Sequence, residues 1–123
     1  MWIYTQSTGE LWHDDQPIAI GYSGFGEGKN NPALEAVHGV GPIPRGFYDI
    51  GAPTDVDAPG PLGAYVLRLT PRPGTDTHGR EGFWLHGDAI AHPGSASHGC
   101  IIAARWARMH IGQSGDTLLR VIA

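Results

Sequence analysis

"FWLHGDAIAHPGSASHGCII", residues 83–102, holds three of the chain's seven histidines and its only cysteine. It starts as a short aromatic and apolar run, breaks into a stretch of Gly, Pro and Ser, and turns apolar again at Cys100–Ile102. Short apolar runs bounded by such turn residues read as strands joined by loops. On that reading residues 82–86 form a strand ending at His86, and residues 88–98 are loop. The two ends of the stretch, His86 and Cys100, are then held by regular structure, and both fold and chemistry turn on them.

The same texture extends along the whole chain. Its 123 residues include 19 glycines and 10 prolines, which alternate with apolar runs such as "PIAIGY", "GFYDI", "AYVLRL" and "TLLRVIA". Short strands separated by turns explain this pattern better than disorder does. Strands are expected at 2–6 and 10–13 around Ser7-Thr8-Gly9, at 17–22, after the turn of "GPIPRG", at 63–70 and in the final run. Asn31-Pro32 is expected to cap a short helix through "ALEAVH", with Pro at its first position. After Cys100, the residues Ile102, Trp106 and Met109 fall at i, i+4 and i+7, the spacing of one helix face, with Gly112 ending that helix. The sum is a mainly β fold, a compact sandwich or small barrel with one or two short helices, in a single domain spanning residues 1–123.

Charge and motif content exclude several functions. With 8 basic and 12 acidic residues the formal net charge is −4, and no basic run is present, so a nucleic-acid groove is not expected. No apolar run reaches membrane-spanning length. The N-terminus "MWIYTQSTGELWHDD" lacks the basic and apolar regions of a secretory signal. "GFGEGKNN" fails as a phosphate loop, because Ser23 stands where the first Gly belongs and Asn30 follows Lys29. It also fails as a dinucleotide fingerprint, since Lys29 replaces the last Gly. "GYSGF" lacks the final Gly of a nucleophile elbow, and "HGD" is not the His-x-Glu of zinc deaminases.

Two chemistries remain for the opening stretch. His86, Asp88 and His98 are metal-ligand types, but zinc needs three or four converging groups and no spaced motif such as HExxH is present. His92 precedes Pro93 in the loop with nothing to aim it. A thiol chemistry has more behind it and calls for no metal or cofactor. Cys100 near the start of the expected helix would feel N–H groups that favour a thiolate. His86 is placed to take its proton and return it. Gly99 lets the backbone approach a carbonyl, and the Gly99 and Cys100 amides are then the expected oxyanion donors. Against this stands the common fate of a free cysteine, a small buried hydrophobe, and on the residues alone the two readings of Cys100 are balanced.

The pair His86-Gly87, a loop, and then Ser97-His98-Gly99-Cys100-Ile101 resembles the signature of the L,D-transpeptidases, the YkuD-like family. Further pieces, "YSG" at Tyr22, "NNP" at Asn30, "GPIPRGFYDI" at Gly41, "FWLHGD" and "SASHGCII", resemble its Tlde1-like branch of type VI secretion effectors. The resemblance implies a YkuD-like β fold with Cys100 as nucleophile and His86 as base. It implies a cysteine loop shaped by Ser97 and His98, and peptidoglycan stem peptides as substrate. The products would come from release or exchange of the terminal D-alanine. Asp88, Tyr22 and Arg80 are the substrate-binding candidates. Ile102 departs from the family, which carries a polar group there, and Arg45, Arg80 and Arg105 are candidates to replace it. The branch implies export by a secretion machine or carrier, action in the periplasm of a target bacterium, and a cognate immunity protein in the producer. The competing functions are a metal-dependent peptidase using His86, Asp88 and His98, and a non-catalytic wall-binding module of a phage or secretion tail.

Overall fold

A computed structural model describes residues 1–56 and 63–123. The chain opens with β1 (Trp2–Thr5) and β2 (Glu10–His13), an antiparallel pair turned at Gly9. In β1 every second side chain goes inward, and Trp2 and Tyr4 are fully buried. Strand β3 (Gln16–Ile20) follows after two residues, Asp14 and Asp15, both with positive φ. Two such residues between His13 and its partner Gln16 make the turn whose twist suits a hairpin. Pro17 lies within β3, and a proline, having no N–H to donate, belongs on an edge strand. Next come β4 (Tyr22–Ser23) and two single-turn 3₁₀ segments, Gly26–Gly28 and Pro32–Leu34. The remaining strands are β5 (Gly46–Ile50), β6 (Thr54–Val56), β7 (Gly63–Pro71), β8 (Trp84–His86), β9 (Ile101–Ile102) and, after helix α1 (Arg105–Gln113), β10 (Leu118–Ile122).

The strands pair in the order β3-β2-β1-β10-β5-β7-β8-β9-β4, with β6 also paired to β7. The two ends of this order, β3 and β4, are consecutive in the chain and joined by Gly21 alone. The sheet must therefore curl until its edges meet, which makes a nearly closed barrel. At the seam the Gly21 N–H donates to the Gly9 carbonyl at 2.8 Å. A Cβ on Gly21 would sit 2.0 Å from the Ile102 carbonyl oxygen, so only glycine lets the backbones approach this closely. Inside, Trp2, Tyr4, Tyr48, Leu67, Leu85 and Ile101 belong to one continuous core. Helix α1 lies against β7 and β8 and contributes Ala107 and Ile111 to that core.

The mainly β barrel-like architecture agrees with the sequence reading, and three details differ. The helix does not start after Cys100. Ile101 and Ile102 form β9, because β-branched residues with a strand on each side, β8 and β4, pair rather than coil. The helix begins at Arg105 and buries Ala107, Arg108 and Ile111, while Trp106 is 59% exposed, so the expected face of Ile102, Trp106 and Met109 does not exist. Asn31 does cap the segment that follows, its Oδ1 accepting from the Ala33 N–H, but that segment is one 3₁₀ turn rather than a helix through His38. The run 17–22 is split at Gly21 between two edges of the sheet.

Candidate active site

Strands β8 and β9 run parallel, with Leu85 beside Ile101 and His86 beside Ile102. The Ala103 N–H donates to the His86 carbonyl at 3.0 Å and continues the pairing. Carried back one residue, the register sets Cys100 beside Trp84, so Cys100 and His86 come to the same face of neighbouring strands. Both line one cavity of about 320 Å³, with Arg80, Phe83, His38 and Gly99.

The His86 ring is 3% exposed. Its Nδ1 lies 2.8 Å from the Gly87 carbonyl oxygen. A carbonyl only accepts, so Nδ1 carries the proton and Nε2 is the basic nitrogen. Burial pushes the imidazole below its usual value, so it is neutral at neutral pH. Cys100 is partly buried, with Sγ 3.7 Å from the Gly82 carbonyl oxygen. Burial pushes its thiol up, against a smaller downward pull from the Trp84 amide and the Arg80 charge. The resting pair is therefore thiol and neutral imidazole. The helix N-terminus expected to acidify the thiol lies at Ala104–Arg105, beyond β9.

The loop around the cysteine is fixed by three side chains. Ser97 is fully buried; its Oγ donates to the Cys100 carbonyl at 2.5 Å and accepts from the Gly24 N–H at 2.9 Å and the Gly99 N–H at 3.2 Å. The Gly99 amide is thus engaged, contrary to its expected freedom to hold an oxyanion. Arg80 is also buried. Its guanidinium donates to the carbonyls of Glu35 at 2.5 Å, Pro42 at 2.8 Å, Gly41 at 2.9 Å and His98 at 3.1 Å, and so pins the cysteine loop to residues 35–42. Gly99 has φ +137°, and a Cβ there would meet Arg80 Nη2 at 2.6 Å. The exposed His98 places Nδ1 2.9 Å from the Gly39 carbonyl and stacks on Phe25 at 5.1 Å between ring centres.

Tyr22 and Asp88 close the other end of the loop. The Tyr22 hydroxyl donates to Asp88 Oδ1 and accepts from the Ala96 N–H, while Asp88 also accepts from the Ala89 and Gly94 N–H groups. These bonds tie residues 88–96 down, while Arg80, named with Tyr22 and Asp88 as a substrate-binding candidate, lines the cavity of Cys100. The metal reading is also corrected: among the described residues the ligand atoms of His86, Asp88 and His98 do not converge, and the only triad that does is His13, Asp14 and Asp116. Of the arginines nominated to stand in at Ile102, Arg45 is paired with Glu35 at 2.7 Å and Arg80 is consumed by carbonyls. That leaves Arg105. Arg108, which the sequence reading passed over, lies three residues on, and its signal was a charge at a position where the helix buries its apolar face.

The Tlde1 domain family matches residues 18–114, which include Gly21 at the seam, both ends of the loop and the whole of α1. This chain belongs to the Tlde1 domain family. The Tlde1 domain here is also similar in structure to an L,D-transpeptidase from Mycobacterium smegmatis, with a TM-score of 0.54 at 16% identity. The likeness covers 99% of this chain and 58% of that one, so the Tlde1 domain spans little more than half the length of its solved neighbour. At that identity the likeness is one of fold. No curated protein matches the chain.

Proposed function

We propose that this Tlde1 domain is a cysteine enzyme that acts on the peptide stems of peptidoglycan, as a type VI secretion effector working in the periplasm of a target cell. The observation that carries the reading is the placement of Cys100 and the free Nε2 of His86 on neighbouring parallel strands that line one cavity. Membership of the Tlde1 family and the L,D-transpeptidase-like fold support the choice of substrate. Among the described residues no helix is long and apolar enough to cross a membrane. An antibacterial effector requires a cognate immunity protein in its producer.

The reaction begins with a neutral pair. His86 Nε2 takes the thiol proton as Sγ attacks the carbonyl of the diamino acid at stem position three. The Cys100 amide, just before β9, donates to the developing oxyanion. The tetrahedral adduct collapses, its C–N bond breaks, and the imidazolium returns the proton to the leaving amine of D-alanine. Water then hydrolyses the thioester, or an amine replaces D-alanine by exchange. Arg80 and Ser97 hold the loop that presents Cys100.

Mass spectrometry of a purified tetrapeptide muropeptide tests this reading. Wild-type protein is expected to release or exchange the terminal D-alanine. Cys100→Ala and His86→Ala, shown folded by circular dichroism, are expected to lose this by at least a hundredfold, the scale of a lost acid–base partner. Full turnover by folded Cys100→Ala sinks the proposal. Binding of sacculi with unchanged muropeptides turns it toward a non-catalytic wall-binding module.

A further inference from the structure

A second cavity, of about 430 Å³, opens beyond the ends of β8 and β9. Its wall continues from the two candidate catalytic residues: Gly87 and Asp88 follow His86, and Ile102 lies two residues past Cys100. Arg105 and Arg108 complete it from the first turn of α1.

Three features of this wall attract an anion. Arg108 is 7% exposed, and its Nη1 donates to the carbonyls of Ala64 at 2.9 Å and Tyr65 at 3.2 Å. Its Nε is sealed from solvent with no partner among the described residues, so the group it offers the cavity is Nη2, which lies against Gly87 in the wall, 3.1 Å from where a Cβ there would stand. Arg105 is exposed and makes no ion pair among the described residues. The third feature is the start of α1 itself. Ala104 offers no side-chain cap, and the first turn holds no acidic residue, so the helix presents bare N–H groups and the positive end of its dipole. Burial, and then the neighbouring charge of Arg105, push the Arg108 guanidinium down from its usual value, as expected of two cations without a counter-charge. Asp88 is the acidic group in the wall. Its oxygens are already held by the Tyr22 hydroxyl and the Ala89 and Gly94 N–H groups, and the Lys29 charge lies close by.

We propose that this cavity is a carboxylate subsite that receives the free C-terminal carboxylate of the residue that leaves. The assignment rests on the enzymatic reading above and adds a selectivity to it. Two residues along β9 separate Cys100 from Ile102, about 7 Å. One amino-acid residue spans about 3.5 Å, and a charge-assisted hydrogen bond adds about 2.8 Å. A carbonyl at Cys100 followed by one residue thus brings that residue's carboxylate to the wall of Arg105 and Arg108. The enzyme then trims only chain ends. A stem whose last residue is amidated, or extended by further residues, leaves Arg108 unanswered and is refused.

The test uses N-acetyl-D-alanine and its amide as probes, titrated into ¹⁵N-labelled wild-type protein. The acid is expected to give saturable shifts at the Gly87, Arg105 and Trp106 amides, and the amide to bind at least tenfold more weakly. Arg105→Met, at an exposed position that folding tolerates, is expected to weaken the acid at least fivefold, with partial rescue in Arg105→Lys. In turnover, amidation of the tetrapeptide C-terminus is expected to lower kcat/KM at least tenfold, mainly through KM, and Arg105→Met to shrink that preference. Equal shifts from acid and amide, or acid shifts confined to other residues, overturn the subsite whether or not the protein turns over. Acid-selective shifts at this wall in a protein that releases no D-alanine uphold the subsite and overturn the enzymatic reading.

Discussion

Ser97→Ala tests whether one hydroxyl holds the cysteine loop in place. The Ser97 Oγ bonds the backbone at three points, Gly24, Gly99 and Cys100, and two of these are buried N–H donors. Removing it leaves both donors without an acceptor, at about 1–3 kcal/mol each. Water reaching Gly99 from the adjoining cavity reduces the second cost, so about 3 kcal/mol is the expected loss. That is a large share of the roughly 5–15 kcal/mol that stabilises a typical domain. Urea unfolding measures it, as a lower midpoint with an unchanged slope. Ser95→Ala is the control: it removes one hydroxyl bond, to the His92 carbonyl, in the same loop, and is expected to stay within about 0.5 kcal/mol of wild type. A loss under about 1 kcal/mol for Ser97→Ala, equal to the control, refutes the idea that this hydroxyl joins β4 to the loop.

Gly21→Ala is expected to open the seam, because its Cβ has only 2.0 Å to the Ile102 oxygen; the cost is at least about 1–3 kcal/mol, read from thermal unfolding. Alkylation of Cys100 by iodoacetamide is expected to rise with a midpoint above the ordinary thiol value of 9.0, and a midpoint near neutrality refutes the neutral resting pair. His86 adds a pH dependence to stability. Below 6.5 the unfolded chain takes up a proton that the buried ring refuses, so stability falls as the pH drops through 6.5 toward the lowered folded value, and His86→Gln is expected to flatten that slope.

The opening stretch was legible because its signals are local. "FWLH" is an apolar run followed by a turn residue, and Trp84–His86 within it is β8, ending at His86 as the residues suggest. Helix periodicity misled after Cys100, because Ile102 fits a helix face in sequence and a strand in space, and the flanking strands that decide it come from residues 22–23 and 84–86. Arg80 shows the same limit from another side. As one of several charges in "PRPGTDTHGREG" it reads as exposed, and only the fold brings four carbonyls from two other segments around it. Arg108, which lines the second cavity, was hidden for that reason too. The barrel seam was out of reach because a one-residue joint leaves no pattern: Gly21 stands inside the run "PIAIGY" and merely looks like part of it.

The pairing of β1 with β10 bears on how the chain acquires its shape. Trp2 lies beside Leu119 and Thr5 beside Ile122, in parallel, and these two strands stand in the interior of the sheet order rather than at an edge. The hairpins of β1, β2 and β3 can form from neighbouring residues alone, but β1 keeps an open edge until the distant β10 is in place. Closing so long a loop costs entropy before any contact rewards it. Contacts of such sequence separation put folding in the range of roughly milliseconds to seconds. The barrel is therefore completed late, and β8 and β9, which set His86 and Cys100 side by side, gain their full frame only once β1 and β10 have paired.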